Sequence, residues 1–136
     1  MGLQSLLLFG VKPANALEEA LLSFLKGKCE IGVFLDALAA SRVFVLIKGS
    51  ASAPPGDTFT PLVIDGNAGD PAVCIFTSPE RSRAIQKRVP DYSQGLEIEF
   101  RAFVQSVPPG VGLVVNPGTL FCTEATWQGV DELREG

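Results

Sequence analysis

Apolar positions recur at two different intervals along this chain, and the interval changes abruptly near Arg42. From Leu17, the residues Leu21, Phe24 and Leu25 follow at helical spacing and make one stripe. Asn15 stands three residues before Glu18, the pattern of a capping box, with Pro13 just upstream and Gly27 as a stop. A first helix over Ala16–Lys26 is therefore predicted. A second, over Glu30–Ala40, places Val33, Phe34, Ala37 and Leu38 on one face. Two short amphipathic helices a few residues apart predict a helical hairpin.

Beyond Arg42 the pattern becomes that of strands. Val43 to Ile47 is an unbroken, β-branched apolar run and reads as a buried strand. Gly49 to Thr58, with Pro54-Pro55-Gly56, reads as the most flexible loop. Phe59–Ile64 is a second strand, pushed towards an edge or bulge by Pro61, which has no amide proton to donate. Turn chemistry from Asp65 to Asp70 joins it to a third strand, Ala72–Phe76, as an antiparallel hairpin. Ser78-Pro79-Glu80 has an N-cap residue, Pro at the first helical position and an acid at the positive dipole end. It predicts a third helix as far as Arg88.

Leu96, Phe100, Phe103, Val104 and Val107 fall at helical intervals and predict a fourth helix, ended by Pro108-Pro109-Gly110. Val111–Val115 is a strand closed by the turn Asn116-Pro117-Gly118, and Thr119–Cys122 a last short strand. A terminal helix over Thr126–Arg134 completes the order. Interleaved helices and strands with one antiparallel hairpin predict a mixed α/β (α+β) fold. It would be one domain over 1–136, with a sheet of about four or five strands flanked by helices and an N-terminal helical hairpin. Residues 1–12 read as an extra N-terminal segment.

Composition narrows the chemistry. The chain has 136 residues, of which 46% are hydrophobic and 19% charged, the balance of a single compact domain. It contains no histidine, which removes His-based triads, His general bases and His-ligated zinc. A net charge of −4 disfavours nucleic acid as a partner, because that affinity comes from neutralised phosphates. Cys29, Cys74 and Cys122 are odd in number and lack metal-site spacing, which argues against a secreted disulfide framework, and the apolar runs around Cys74 and Cys122 predict buried, inert thiols in a cytoplasmic protein. No run is long enough for a membrane span, and the apolar run Leu6–Phe9 is too short for a signal peptide. Gly110-Val111-Gly112 precedes a strand, where a dinucleotide loop would have to follow one, and no P-loop is present.

The stretch Val73-Cys74-Ile75-Phe76-Thr77-Ser78-Pro79-Glu80-Arg81 and the segment Pro108 to Gly118 carry a resemblance. Together they resemble the N-terminal domain of the SseB-like family, bacterial proteins named after the enhanced serine sensitivity protein. The likeness runs over roughly Ala16 to Leu133, without the further C-terminal domain of longer members. It implies no catalytic residues and no cofactor.

Several side chains remain as candidates for binding. Arg81, Arg83, Lys87 and Arg88 hold four of the eleven positive charges, with Arg83 and Lys87 four apart on one helical side. They read as a solvated face or as a docking surface for an acidic partner. Ser78 and Asn116 stand at a strand-to-helix junction and a strand-ending turn, which would shape a shared surface if they lie on one edge of the sheet. Trp127 reads as packing for the terminal helix or as an interface anchor. Glu97 and Glu99 would point about 200° apart on a helix and so would not converge.

The expectation is a non-catalytic protein-interaction or regulatory domain without cofactor or metal. It could take the form of an immunity or accessory factor for a toxin or secreted effector. The partner would be another protein, with a second copy of the chain as an option. The alternative is a small-molecule-binding or enzymatic domain using the loops near Ser78 and Asn116.

Overall fold

The first helix begins where the sequence places it, because Asn15 supplies the cap. Its backbone is extended (φ −159°) and its side-chain oxygen accepts the Glu18 amide at 2.9 Å. This is a computed structural model that describes residues 13–48, 61–66, 69–120 and 122–135. The loop expected at Gly49–Thr58, the start of the second strand at Phe59 and residues 1–12 lie outside the described residues.

Helix α1 (Ala16–Leu25) buries Leu17, Leu21 and Leu22. It ends on Gly27 at φ +76°, whose amide reaches Phe24 O while the Lys28 amide reaches Ser23 O, a paired C-terminal cap that only a residue tolerant of positive φ closes cheaply. Helix α2 (Ile31–Ala39) packs against α1 as the expected hairpin. Its inward face is centred on Phe34 and Leu38, with Leu35 and Ala37 beside them. Val33 was expected on that face, yet it is 53% exposed. It lies roughly 120° around the helix from the Phe34–Leu38 line.

Strand β1 (Arg42–Ile47) pairs along its whole length with antiparallel β4 (Gln94–Glu99). A four-stranded sheet has the order β2 (Val63–Asp65), β3 (Pro71–Ile75), β5 (Gly112–Val115), β6 (Thr123–Ala125). The hairpin β2–β3 is antiparallel, β3–β5 parallel and β5–β6 antiparallel. Two antiparallel bridges, Phe44 to Phe76 and Ile47 to Pro61, join β1 to this sheet. Pro61 therefore sits at a strand end, consistent with its missing amide.

One face of the sheet carries Val43, Val45, Val73, Ile75, Leu113 and Val115 into the main core, covered by Leu21, Phe34, Phe103 and Val130 from the helices. The other face carries Leu46, Leu62, Cys74 and Phe76, covered by Ile85, Val89 and Tyr92. With both faces buried, β3 and β5 take continuous apolar runs.

Three of the expected elements are corrected here. Residues 94–99 are a strand, and only α4 (Phe100–Ser106) is helical, because Leu96 and Ile98 alternate with Glu97 and Glu99 and pair with Val45 and Val43. Glu97 and Glu99 thus share one strand face, and Glu97 meets Arg42 in an exposed ion pair at 3.3 Å. The segment after β3 is a 3-10 turn, Pro79–Ser82, followed by the short α3 (Arg83–Gln86) instead of one helix. Ser82 Oγ donates back to Pro79 O at 2.7 Å and Ser78 makes no side-chain cap, so the first turn stays tight. The last strand falls at β6, since the turn at Asn116–Thr119 delays pairing until Thr123 meets Val115. The terminal helix keeps its expected place: α5 (Trp127–Glu135) is anchored by Val130, 1% exposed, while Trp127 is 37% exposed.

Candidate functional site

Parallel β3 and β5 end side by side, and the residues that follow them, Thr77-Ser78 and Asn116, meet there with the first turn of α1. Asn116 takes φ +54°, a conformation Asn tolerates better than most residues. Its amide continues the ladder to Ile75 O at 2.8 Å, and Gly118 at φ +80° completes the turn. That geometry aims the Asn116 side chain back at Thr77. Its Oδ1 accepts the Thr77 amide and its Nδ2 donates to Thr77 Oγ1, both at 2.9 Å. Asn15 Nδ2 donates to Thr77 O at 2.8 Å.

The centre of the arrangement is Glu18, whose side chain is 0% exposed. Sequence reasoning treated it only as a capping residue. Its carboxylate does not close the capping box on Asn15; Oε1 instead accepts the Ala14 amide at 2.8 Å. Arg81 grips it with two parallel bonds, Nη2 to Oε1 at 2.9 Å and Nε to Oε2 at 3.0 Å. Thr77 Oγ1 and Ser78 Oγ donate to Oε2 at 2.6 and 3.0 Å. Burial pushes the Glu18 carboxyl up, but the Arg81 hydrogen bonds and those of Thr77, the Ala14 amide and Ser78 outweigh it and hold it down to about 2. Hydrogen bonding to Glu18 likewise raises Arg81 above its ordinary value. Among the described residues no buried side-chain nitrogen or oxygen lacks a partner.

Both sequence-predicted junctions are thus brought together, as are Ser78, Asn116 and Arg81 among the candidate residues. Their polar atoms face each other, however, and both Ser78 and Asn116 are buried. A carboxyl held near 2 is a poor proton acceptor at neutral pH, so Glu18 is not tuned to activate the Ser78 or Thr77 hydroxyls. Arg83, Lys87 and Arg88 follow Arg81 on α3 and the turn after it, and all three are exposed. Ile85 faces the second core, whereas Ala84 is exposed. Trp127 lies elsewhere: it borders the start of β5 near Gly112, at the opposite end of that strand from Asn116. Cys74 is fully buried, and burial, followed by the neighbouring Cys122, pushes its thiol up to about 12. Cys122, expected to be buried, is only half-buried, and Cys29 likewise.

Among the described residues, no group of His, Cys, Asp and Glu is placed to hold a metal ion, and no helix is long and apolar enough to cross a membrane.

The fold and the polar junction define a small mixed α+β domain whose strand ends are tied to its first helix. The chain belongs to the SseB protein N-terminal domain family, whose model matches residues 17–125. Glu18, Thr77, Ser78, Arg81 and Asn116 all fall inside that span, and Asn15 just outside it. No curated protein and no solved structure matches the chain.

Proposed function

We propose that this domain is a non-catalytic protein-interaction module that presents Arg83, Lys87 and Arg88 to an acidic surface of a partner protein. One observation carries the reading. Glu18 anchors Arg81 and so fixes the turn from which the other three cations project, while none of the three meets a carboxylate among the described residues. Charges held in place on a short rigid segment steer association better than charges on a mobile tail.

The bacterial form of this role is an immunity or accessory factor that covers an acidic toxin or secreted effector. Its setting would be the cytoplasm, where the free thiols of Cys29, Cys74 and Cys122 are kept reduced. The alternative of a small-molecule site at Ser78 and Asn116 draws no support from the geometry, because both side chains bond to Glu18 and Thr77.

The test is affinity capture from native cytoplasm with the unaltered chain and with Arg83→Glu/Lys87→Glu. The proposal expects one stoichiometric partner retained by the first and lost by the second, with the melting temperature unchanged. Equal capture by both chains, or no partner with either, overturns it. Sedimentation over a concentration series identifies the case in which the partner is a second copy.

A further inference from the structure

A cleft of about 290 Å³ opens at the other end of the sheet, where the β2–β3 hairpin, the start of β5 and the start of α5 converge. Its floor is small: Gly66, Ala72 and Gly112, with Ala72 and Gly112 directly paired across the parallel strands. A Cβ on Gly66 would come within 3.2 Å of Glu124 Oε1, and one on Gly112 within 2.7 Å of Ala125 O, so larger residues would fill the floor or push its walls apart. Asp70, Glu124 and Trp127 stand around it.

The chemistry of these walls is one-sided. Two carboxylates and an indole line the cleft, and among the described residues that line it there is no lysine or arginine. An indole attracts a cation to its ring face, and carboxylates add charge and hydrogen-bond acceptors. Thr126 Oγ1 accepts the Gly129 amide at 3.3 Å, so the positive first turn of α5 is partly satisfied within the helix. The volume lies at the lower limit of ligand sites, about 300–1,000 Å³, which suits a guest the size of one side chain and not a cofactor.

We infer that the cleft between Asp70, Glu124 and Trp127 binds a protonated alkylamine, supplied by a lysine side chain of another protein or by a free polyamine. The site lies across the length of β5 from Asn116 and does not rest on the Arg83–Lys87 surface, so either reading can fail alone.

Trp127 is the only tryptophan, which makes its emission a direct reporter. The purified chain is titrated at fixed ionic strength with spermidine, with an end-capped trilysine peptide, and with N-acetyl-lysine amide acetylated on its side chain as the neutral control. The expected result is a saturable change in emission with at least one of the two amines and none with the control. Asp70→Asn or Glu124→Gln should weaken it about tenfold. Tighter binding of spermidine assigns the guest as a free polyamine, and tighter binding of trilysine as a partner's lysine. Asp70 is exposed at a turn, so its variant decides the matter if Glu124→Gln fails to fold. No saturable change, an equal response to the neutral control, or unaltered affinity in the folded variants overturns the inference.

Discussion

Arg81 and Glu18 lie 63 residues apart and are joined by two hydrogen bonds of 2.9 and 3.0 Å, with Glu18 fully buried and the arginine side chain 22% exposed. The pair ties α1 to the turn after β3, a connection the backbone ladders do not provide. Its net worth against an apolar substitute is small, because both charges lose water; its loss on one side only is costly. Glu18→Ala should destabilise the domain by about 3–5 kcal/mol in urea titration, since it strips the Thr77, Ser78 and Arg81 groups of their shared acceptor. Arg81→Lys keeps the charge but loses the fork and should cost less, about 1–2 kcal/mol. If the two variants melt alike, the paired geometry is not what matters.

The depressed Glu18 carboxyl makes stability depend on pH in a defined direction. Folded, it titrates near 2; unfolded, near its ordinary 4.5. The unfolded chain therefore takes up the proton first as pH falls. This contribution is complete above about pH 5, declines below 4.5 and is gone below 2, amounting to roughly 3 kcal/mol. Urea midpoints measured from pH 7 to pH 3 should fall, and Glu18→Gln should flatten that fall while lowering stability at pH 7. An equal slope in the variant would place the acid sensitivity on other carboxylates.

Asn116 contributes twice, through its positive φ and through its side chain on Thr77. The two parts separate by substitution. Asn116→Gly keeps the backbone at ease but loses two hydrogen bonds, whereas Asn116→Ala loses the same bonds and adds strain. Alanine should therefore be worse than glycine by about 1 kcal/mol, the reverse of their usual order in regular structure. Thermal melts of the two variants side by side test this.

How far these features could be read from the residues follows from how local their causes are. Asn15 and Gly27 bound α1 through contacts within a few positions, so the helix was legible. The apolar runs of β1, β3 and β5 were legible because burial on both faces leaves no polar interruption. Glu18 was not, because a cap explains it locally while its other partners lie about 60 residues away. The signal present was an acid inside an apolar stripe together with Thr77, Ser78 and Arg81 clustered after a buried strand. Residues 94–99 fit both periods, since Leu96 and Phe100 satisfy a helix while Leu96 and Ile98 satisfy a strand. Pairing with β1 decided between them.

Gly95 offers a direct test of that last decision. It sits opposite Leu46 in the ladder, beside Phe44, and a Cβ placed on it would fall inside the volume of the Phe44 ring. Phe44 is half-buried and packs against the second core, so swinging its ring away gives up that packing. Gly95→Ala should cost about 1–3 kcal/mol through overpacking. In a helix over the same residues, the exchange would stabilise by about 1 kcal/mol, because alanine is the better helix former. The sign of the change in urea midpoint thus distinguishes the two arrangements. Phe44→Leu in the same background should recover part of the loss if the ring is what the methyl group meets.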